Sequence, residues 1–194
     1  MKILFGWFAI VVLASSAFSA PIPKSIRKAN EPWVPLELGN TWEFVQDGNG
    51  GDGTTVVERR EVTKVETKDG VTYATQKATG LTTQGYRVDA EGVALISTNG
   101  AVHKNPRVIA MPNMAEGDSW TWDAGGYIET RTVGKLETLK LPAGDIEAIP
   151  IKSEYNQNGN VFQTATVWYA RGIGLVQIDY EGYSHKLKAF TKGK

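Results

Sequence analysis

The sequence contains no cysteine. Disulfides, thiolate metal centres, thiol nucleophiles and a lipid-modified amino-terminal Cys are therefore all excluded. Histidine is nearly absent as well: His103 and His185 stand 82 residues apart, and neither belongs to a ligand-spaced cluster. A zinc centre or a Ser-His-Asp arrangement has no support in that spacing. Charge of one sign is lacking, with 21 basic against 21 acidic side chains, so no overall field attracts nucleic acid or anionic lipid. Gly-rich phosphate loops, a nucleotide fingerprint, basic-aromatic stripes and Asn-x-Ser/Thr acceptors are missing too. No cofactor and no nucleic-acid partner is expected.

Only one apolar run stands out, and it is short. Lys2 precedes the apolar stretch Ile3 to Ala14, and Ser15 to Ala20 are small apart from Phe18. Twelve residues cannot cross a hydrocarbon core of ~30 Å, whereas this layout fits a secretory signal cleaved after Ser19. The expectation is a secreted or periplasmic protein with no transmembrane segment in its mature chain. Residues 20–35 carry Pro21, Pro23, Pro32 and Pro35 and read as an extended leader, with Trp33 free to dock on the domain surface. Residues 36–194 then form a single domain, large enough for a sizeable core.

From Leu36 onward the patterns are those of strands, rich in Val, Ile, Thr, Tyr and Trp and separated by Gly, Asn or Asp. The first set is Thr41 to Gln46, Thr54 to Thr67, Val71 to Ala78, Thr82 to Asp89 and Val93 to Ser97. The second is Arg107 to Met111, Ser119 to Asp123, Tyr127 to Leu139, Ile146 to Tyr155, Val161 to Ala170, Gly174 to Tyr180 and Ser184 to Phe190. Asp69-Gly70 and Asn158-Gly159 are two-residue turns, where both central residues need positive φ. Pro150 places its strand at a sheet edge or on a bulge.

The chain also repeats itself. Pro35-Leu36-Glu37-Leu38-Gly39-Asn40-Thr41-Trp42 recurs as Pro112-Asn113-Met114-Ala115-Glu116-Gly117-Asp118-Ser119-Trp120. Gly92-Val93-Ala94-Leu95-Ile96 recurs as Gly172-Ile173-Gly174-Leu175-Val176. Between them Val57-Glu58-Arg59 echoes Ile128-Glu129-Thr130 at an offset of 71. Two pseudo-repeats, about 36–97 and 113–177, are thus expected, each a β-meander that cannot cover its own apolar face. The fold class is all-β: an antiparallel β-sandwich or half-open barrel, with Trp42 and Trp120 as equivalent anchors.

Candidate chemistry is sparse. Asp47, Asn49 and Asp52 in a Gly-rich run partly imitate a calcium loop, with Glu58 eleven residues after Asp47. Gly51 stands where a third oxygen ligand belongs, and a hairpin tip is the simpler reading, so no metal is assigned. Asp118, Asp123, Glu129, Asp145 and Glu147 supply carboxylates without any spacing that defines an acid–base pair. Trp122 and Trp168 are the ligand-binding candidates, since exposed aromatic rings stack on sugars or line apolar cavities. No catalytic residue is assigned.

Leu141-Pro142-Ala143-Gly144-Asp145-Ile146-Glu147-Ala148, followed by Val167-Trp168-Tyr169-Ala170-Arg171-Gly172-Ile173-Gly174-Leu175-Val176, resembles a signature of bacterial exported β domains of unknown function. Their usual form is Leu-Pro-Ala-Gly-x-Phe-x-Ala, then Tyr-Trp-Phe-Ala-Pro-Gly-Val-Gly-Leu-Val. This chain departs at Ile146, in the order Trp168-Tyr169 and at Arg171, where the family has Pro. The resemblance implies a non-enzymatic, envelope-associated structural or binding module whose partner is an unknown protein or an apolar or glycan ligand. The alternatives are a carbohydrate-binding or glycan-hydrolysing domain and a half-barrel lipid carrier.

Overall fold

A computed structural model describes residues 30–48 and 51–193, and period-2 alternation with closely spaced turn residues divides these described residues into thirteen strands. They are β1 Thr41–Gly48, β2 Gly51–Lys68, β3 Val71–Ala78, β4 Thr83–Asp89, β5 Gly92–Thr98, β6 Ala101–Ala110, β7 Ser119–Asp123, β8 Ile128–Val133, β9 Glu137–Leu141, β10 Gly144–Gln157, β11 Asn160–Ala170, β12 Gly174–Tyr180 and β13 Tyr183–Thr191. The expected secretory segment and most of the expected leader lie outside the described residues. Among those residues no helix is long and apolar enough to cross a membrane.

All the strands join one antiparallel sheet in the order β6-β5-β4-β3-β2-β1-β13-β12-β11-β10-β8-β7, with β9 pairing β10 off that path. The sheet curls into a nearly closed barrel, which decides between the two expected architectures. The first six strands form one meander, and β7, β8 and β10–β13 form a second. They meet where β1 pairs β13. At the other junction, β6 and β7 form no ladder and leave a seam.

Each half opens with the same hydrogen bonds. Gly39 N donates to Val62 O (2.9 Å) and Val62 N to Asn40 O (3.0 Å). In the second half Gly117 N donates to Val133 O (2.9 Å) and Val133 N to Asp118 O (2.9 Å). The anchors differ in depth, however. Trp42 is buried and donates to Ile173 O (2.5 Å), whereas Trp120 is half-buried and donates across the seam to Val108 O (3.1 Å).

Several local expectations need correction. The predicted strand Tyr127 to Leu139 is two strands, because long β10 changes partners there. Its Gly144–Ala148 portion pairs β9, and its Ile151–Asn156 portion pairs β8. Pro150 lies neither at an edge nor on a bulge but in the gap between those partners. Its carbonyl accepts Gly134 N (2.8 Å), so its missing N–H faces a position where no ladder bond is needed. β6 starts six residues earlier than Arg107. Asp69-Gly70 and Asn158-Gly159 both have two positive φ angles, as a type I′ turn requires.

One end of the barrel holds the apolar core. Phe44, Ile146, Ile151, Ile173 and Leu187 are fully buried there, and the β9–β10 turn reaches β13 through Ala143 N to Leu187 O (3.1 Å). The Leu141-Pro142-Ala143 signature therefore packs a hairpin over the core. Packing also extends back into the leader: Trp33 is only 7% exposed, so it is a core residue and not a surface contact.

Candidate functional site

The barrel interior carries a charged group on each half, built on the same strand positions. On β2, Arg60 Nε contacts Glu58 Oε1 at 2.7 Å, and His185 on β13 approaches Glu58 Oε2 at 3.4 Å. On β8, Arg131 Nε contacts Glu129 Oε1 at 2.9 Å, and Arg107 on β6 contacts Glu129 Oε2 at 2.6 Å. Register explains the likeness. Glu58 and Arg60 oppose Phe44 and Trp42, while Glu129 and Arg131 oppose Trp122 and Trp120, so both sets face inward.

The second group closes the seam. Arg107 adds Nη2 bonds to Glu129 Oε1 (2.6 Å) and to the Tyr155 hydroxyl (3.2 Å). Arg131 Nη1 donates to Ile109 O (3.0 Å), and the Trp122 indole donates to Asn105 O (2.8 Å). The carbonyls of β6 thus receive side chains instead of a neighbouring strand, which blunts an otherwise open edge. Burial opposes charge on Glu129, but Arg107 and Arg131 outweigh it and hold the carboxyl down at about 2.

Around this group lies an aromatic cluster at the end of the barrel away from the core. Arg107 sits 5.5 Å from the Trp122 ring centroid, and Trp122 meets Tyr127 edge-on at 6.1 Å. Tyr127 contacts Tyr155 (5.8 Å) and Phe162 (5.9 Å). Phe162 is 55% exposed, an unusual state for a phenylalanine within a ring cluster. A stacked pair, Tyr180 and Tyr183 at 5.5 Å, occupies the neighbouring β12–β13 hairpin. Burial raises the phenols of Tyr155 and Tyr180, so both stay neutral and able to donate hydrogen bonds.

Trp168 does not join Trp122. The inward row from Trp122 runs through Glu129 and Tyr155 to Gln163, and Trp168 lies an odd number of residues further along β11, on the opposite face. Its indole donates to Glu137 Oε1 (2.6 Å). In the calcium-like run Gly48 pairs Gly51 and Asp47 pairs Asp52 across β1 and β2, and Asn49 lies outside the described residues. Asp52 accepts Thr54 N and Thr55 N (both 2.9 Å), and these amides hold its carboxyl below the usual carboxylate range. Asp47 pairs Lys186 at 2.6 Å. Among the described residues no group of three or more acidic or histidine side chains could hold a metal ion. Asp118 and Asp123 accept backbone N–H groups of their own turns, Ala115 N and Gly125 N.

Two voids bear on ligand capacity. One, of about 30 Å³ between Trp42, Arg60, Tyr86 and Tyr169, lies inside the barrel and has room for little more than a water. The other is a cleft of about 340 Å³ at the core end, between the leader at Asn30–Val34 and the barrel rim.

Sequence reasoning found Trp122 but missed Arg107, Tyr127, Tyr155 and Phe162. The available signal was Glu-x-Arg in both halves, at 58–60 and 129–131.

No family model matches the sequence, and no curated protein is detectably similar to it. Two solved structures are. One is a candidate exported protein with a YMCC-like fold from Bacteroides fragilis, at TM-score 0.51 and 15% identity over 84% of this chain and 100% of that chain. The other is a candidate lipoprotein from Parabacteroides distasonis, at TM-score 0.45 and 15% identity over the same shares. The first shares the fold; the second is too distant to carry an argument.

Proposed function

We propose that this chain is an exported, envelope-associated, non-catalytic binding module, and that its ligand is a glycan engaged by the aromatic end of the barrel. The observation that carries the reading is the exposed Phe162 within the Trp122–Tyr127–Tyr155 cluster, held in place by Arg107. Sugar rings present apolar C–H faces and hydroxyl edges, and this cluster offers ring faces beside phenol and guanidinium donors. Export rests on the amino-terminal pattern, on the Leu-Pro-Ala-Gly resemblance and on a fold shared with a candidate exported protein. The two half-sheets are read as pseudo-repeats, supported by their strand order and by the matched bonds of Gly39 and Gly117.

Catalysis is the weaker reading, since Glu58 and Glu129 are both held ionised by arginines and neither serves as a proton donor at neutral pH. Carriage of an acyl chain inside the barrel needs a few hundred Å³, against about 30 Å³ in the void there. Glycan-array screening followed by calorimetry tests the proposal. Phe162→Ala and Trp122→Ala should each weaken glycan binding at least tenfold, and Phe162→Ala should leave the circular dichroism spectrum unchanged. Absence of any glycan ligand, or binding indifferent to both substitutions, would sink it.

A further inference from the structure

The 340 Å³ cleft at the opposite end has a chemistry of its own. Its walls are Trp33 and Val34 from the leader, Val88 and Val93 from β4 and β5, Met111 beyond β6, and Arg171 from the β11–β12 turn. The volume lies within the range of small-ligand sites. Arg171 stands where the resembled family carries Pro, and its guanidinium stacks 4.2 Å from the centroid of the Trp33 ring. Among the described residues its one side-chain hydrogen bond runs from Nη1 to the Glu31 carbonyl (3.0 Å). Among the described residues no carboxylate lies within ion-pair distance of it.

Two acids also line the cleft, and one of them, Asp89, is engaged elsewhere. Asp89 forms an ion pair with Arg87 (2.7 Å to Nε) and accepts the Glu91 amide at 2.9 Å. The Glu31 carboxylate packs where a Cβ on Gly172 would fall. Trp33 Nε1, meanwhile, is buried with no acceptor among the described residues. A cation lacking a counter-charge and an indole N–H lacking an acceptor both call for an anionic oxygen, because a buried donor left unpaired is costly. Val34, Val88, Val93 and Met111 call for an apolar body beside it.

We propose that this cleft binds an amphipathic anion, a carboxylate or phosphate on an acyl chain, with Arg171 as the anion-binding residue and Trp33 as its stacking partner. The site is separate from the aromatic end and does not depend on the glycan reading.

The test uses the ¹⁵N-labelled protein and its tryptophan indole N–H resonances, with that of Trp33 assigned through Trp33→Phe. Dodecanoate, dodecyl phosphate and dodecanol are titrated below their micelle-forming concentrations. Both anions should shift the Trp33 resonance saturably, with dodecanol at least tenfold weaker. R171Q should abolish that preference, R171K should retain part of it, and Phe162→Ala should leave it unchanged. An unmoved Trp33 resonance, or dodecanol binding as well as the anions, overturns the proposal. Should R171Q fail to fold, the comparison with dodecanol on the unaltered protein decides alone. Co-sedimentation with anionic but not zwitterionic vesicles would identify a lipid headgroup as the source; soluble anions binding without vesicle binding would identify a free amphiphile.

Discussion

The two interior charge groups share a design and differ in what surrounds them. In the first half-sheet, Glu58, Arg60 and His185 lie beside a complete β1–β13 ladder, and each retains about a fifth of its side-chain exposure. In the second, Glu129 is fully buried and Arg131 nearly so, and the neighbouring edges β6 and β7 share no ladder. Where backbone bonds close the sheet, the ion pair can stay partly wet. Where they do not, Arg107, Arg131 and the two indoles perform the closure, and the pair is driven into the interior. The lesson is that a repeated Glu-x-Arg element takes its energetic weight from the completeness of the adjoining sheet.

The largest effect that could break this contrast comes from the carboxylates. Glu129→Gln should cost about 3–5 kcal/mol, because it leaves Arg131 buried without its counter-charge. Glu58→Gln should cost about 1 kcal/mol, because the partners of Glu58 still reach water. Urea denaturation of both variants measures the difference, and equal losses would mean the two groups carry the same load.

Acid titration sharpens the point. Glu129 has its folded pKa lowered from 4.5 to about 2, so its contribution is complete above about 4.5 and is lost as the pH falls toward 2. The linkage amounts to about 3 kcal/mol. Stability measured from pH 6 to pH 2 should therefore fall steeply in the parent and less steeply in Glu129→Gln. Parallel curves would contradict the assignment.

The anchors give a smaller contrast. Trp42→Phe removes an N–H bond to the buried Ile173 carbonyl and should cost about 2 kcal/mol, against about 1 kcal/mol for Trp120→Phe at the wetter seam. A reversed order in chemical denaturation would place the seam, not the core end, as the tighter junction. Smallest of all, Asp52→Ala should leave the melting temperature indifferent to added calcium. A calcium-dependent rise in the parent, lost in the variant, would restore the metal reading of that hairpin.

Local chemistry was legible in the sequence wherever it acts over a few residues. Val71–Ala78, Ser119–Asp123 and Gly174–Tyr180 have the bounds that alternation and flanking turn residues predict. The echo of Val57-Glu58-Arg59 in Ile128-Glu129-Thr130 put both interior carboxylates in register, one residue short of the arginines that pair with them. Trp122 could be singled out because it is large and two residues from Trp120. Arg107 could not, since a lone arginine on a polar strand usually faces water and only its crossing of the seam gives it a role. Trp168 looked equal to Trp122 in composition, yet strand parity sends it to the other face.

Alternation, turn chemistry and the missing cysteines determined an all-β, antiparallel chain held by its core, because those signals depend on neighbours within a few positions. Only the tertiary structure decided that the sheet curls into a barrel with one laddered junction and one seam of side chains. It also decided that Phe162 meets Tyr127 and Tyr155 beside Trp122, and that Arg171 meets Trp33 with no carboxylate of the described residues in ion-pair distance. Those outcomes depend on the distance between strands far apart in the chain, and a residue's type carries no record of that distance.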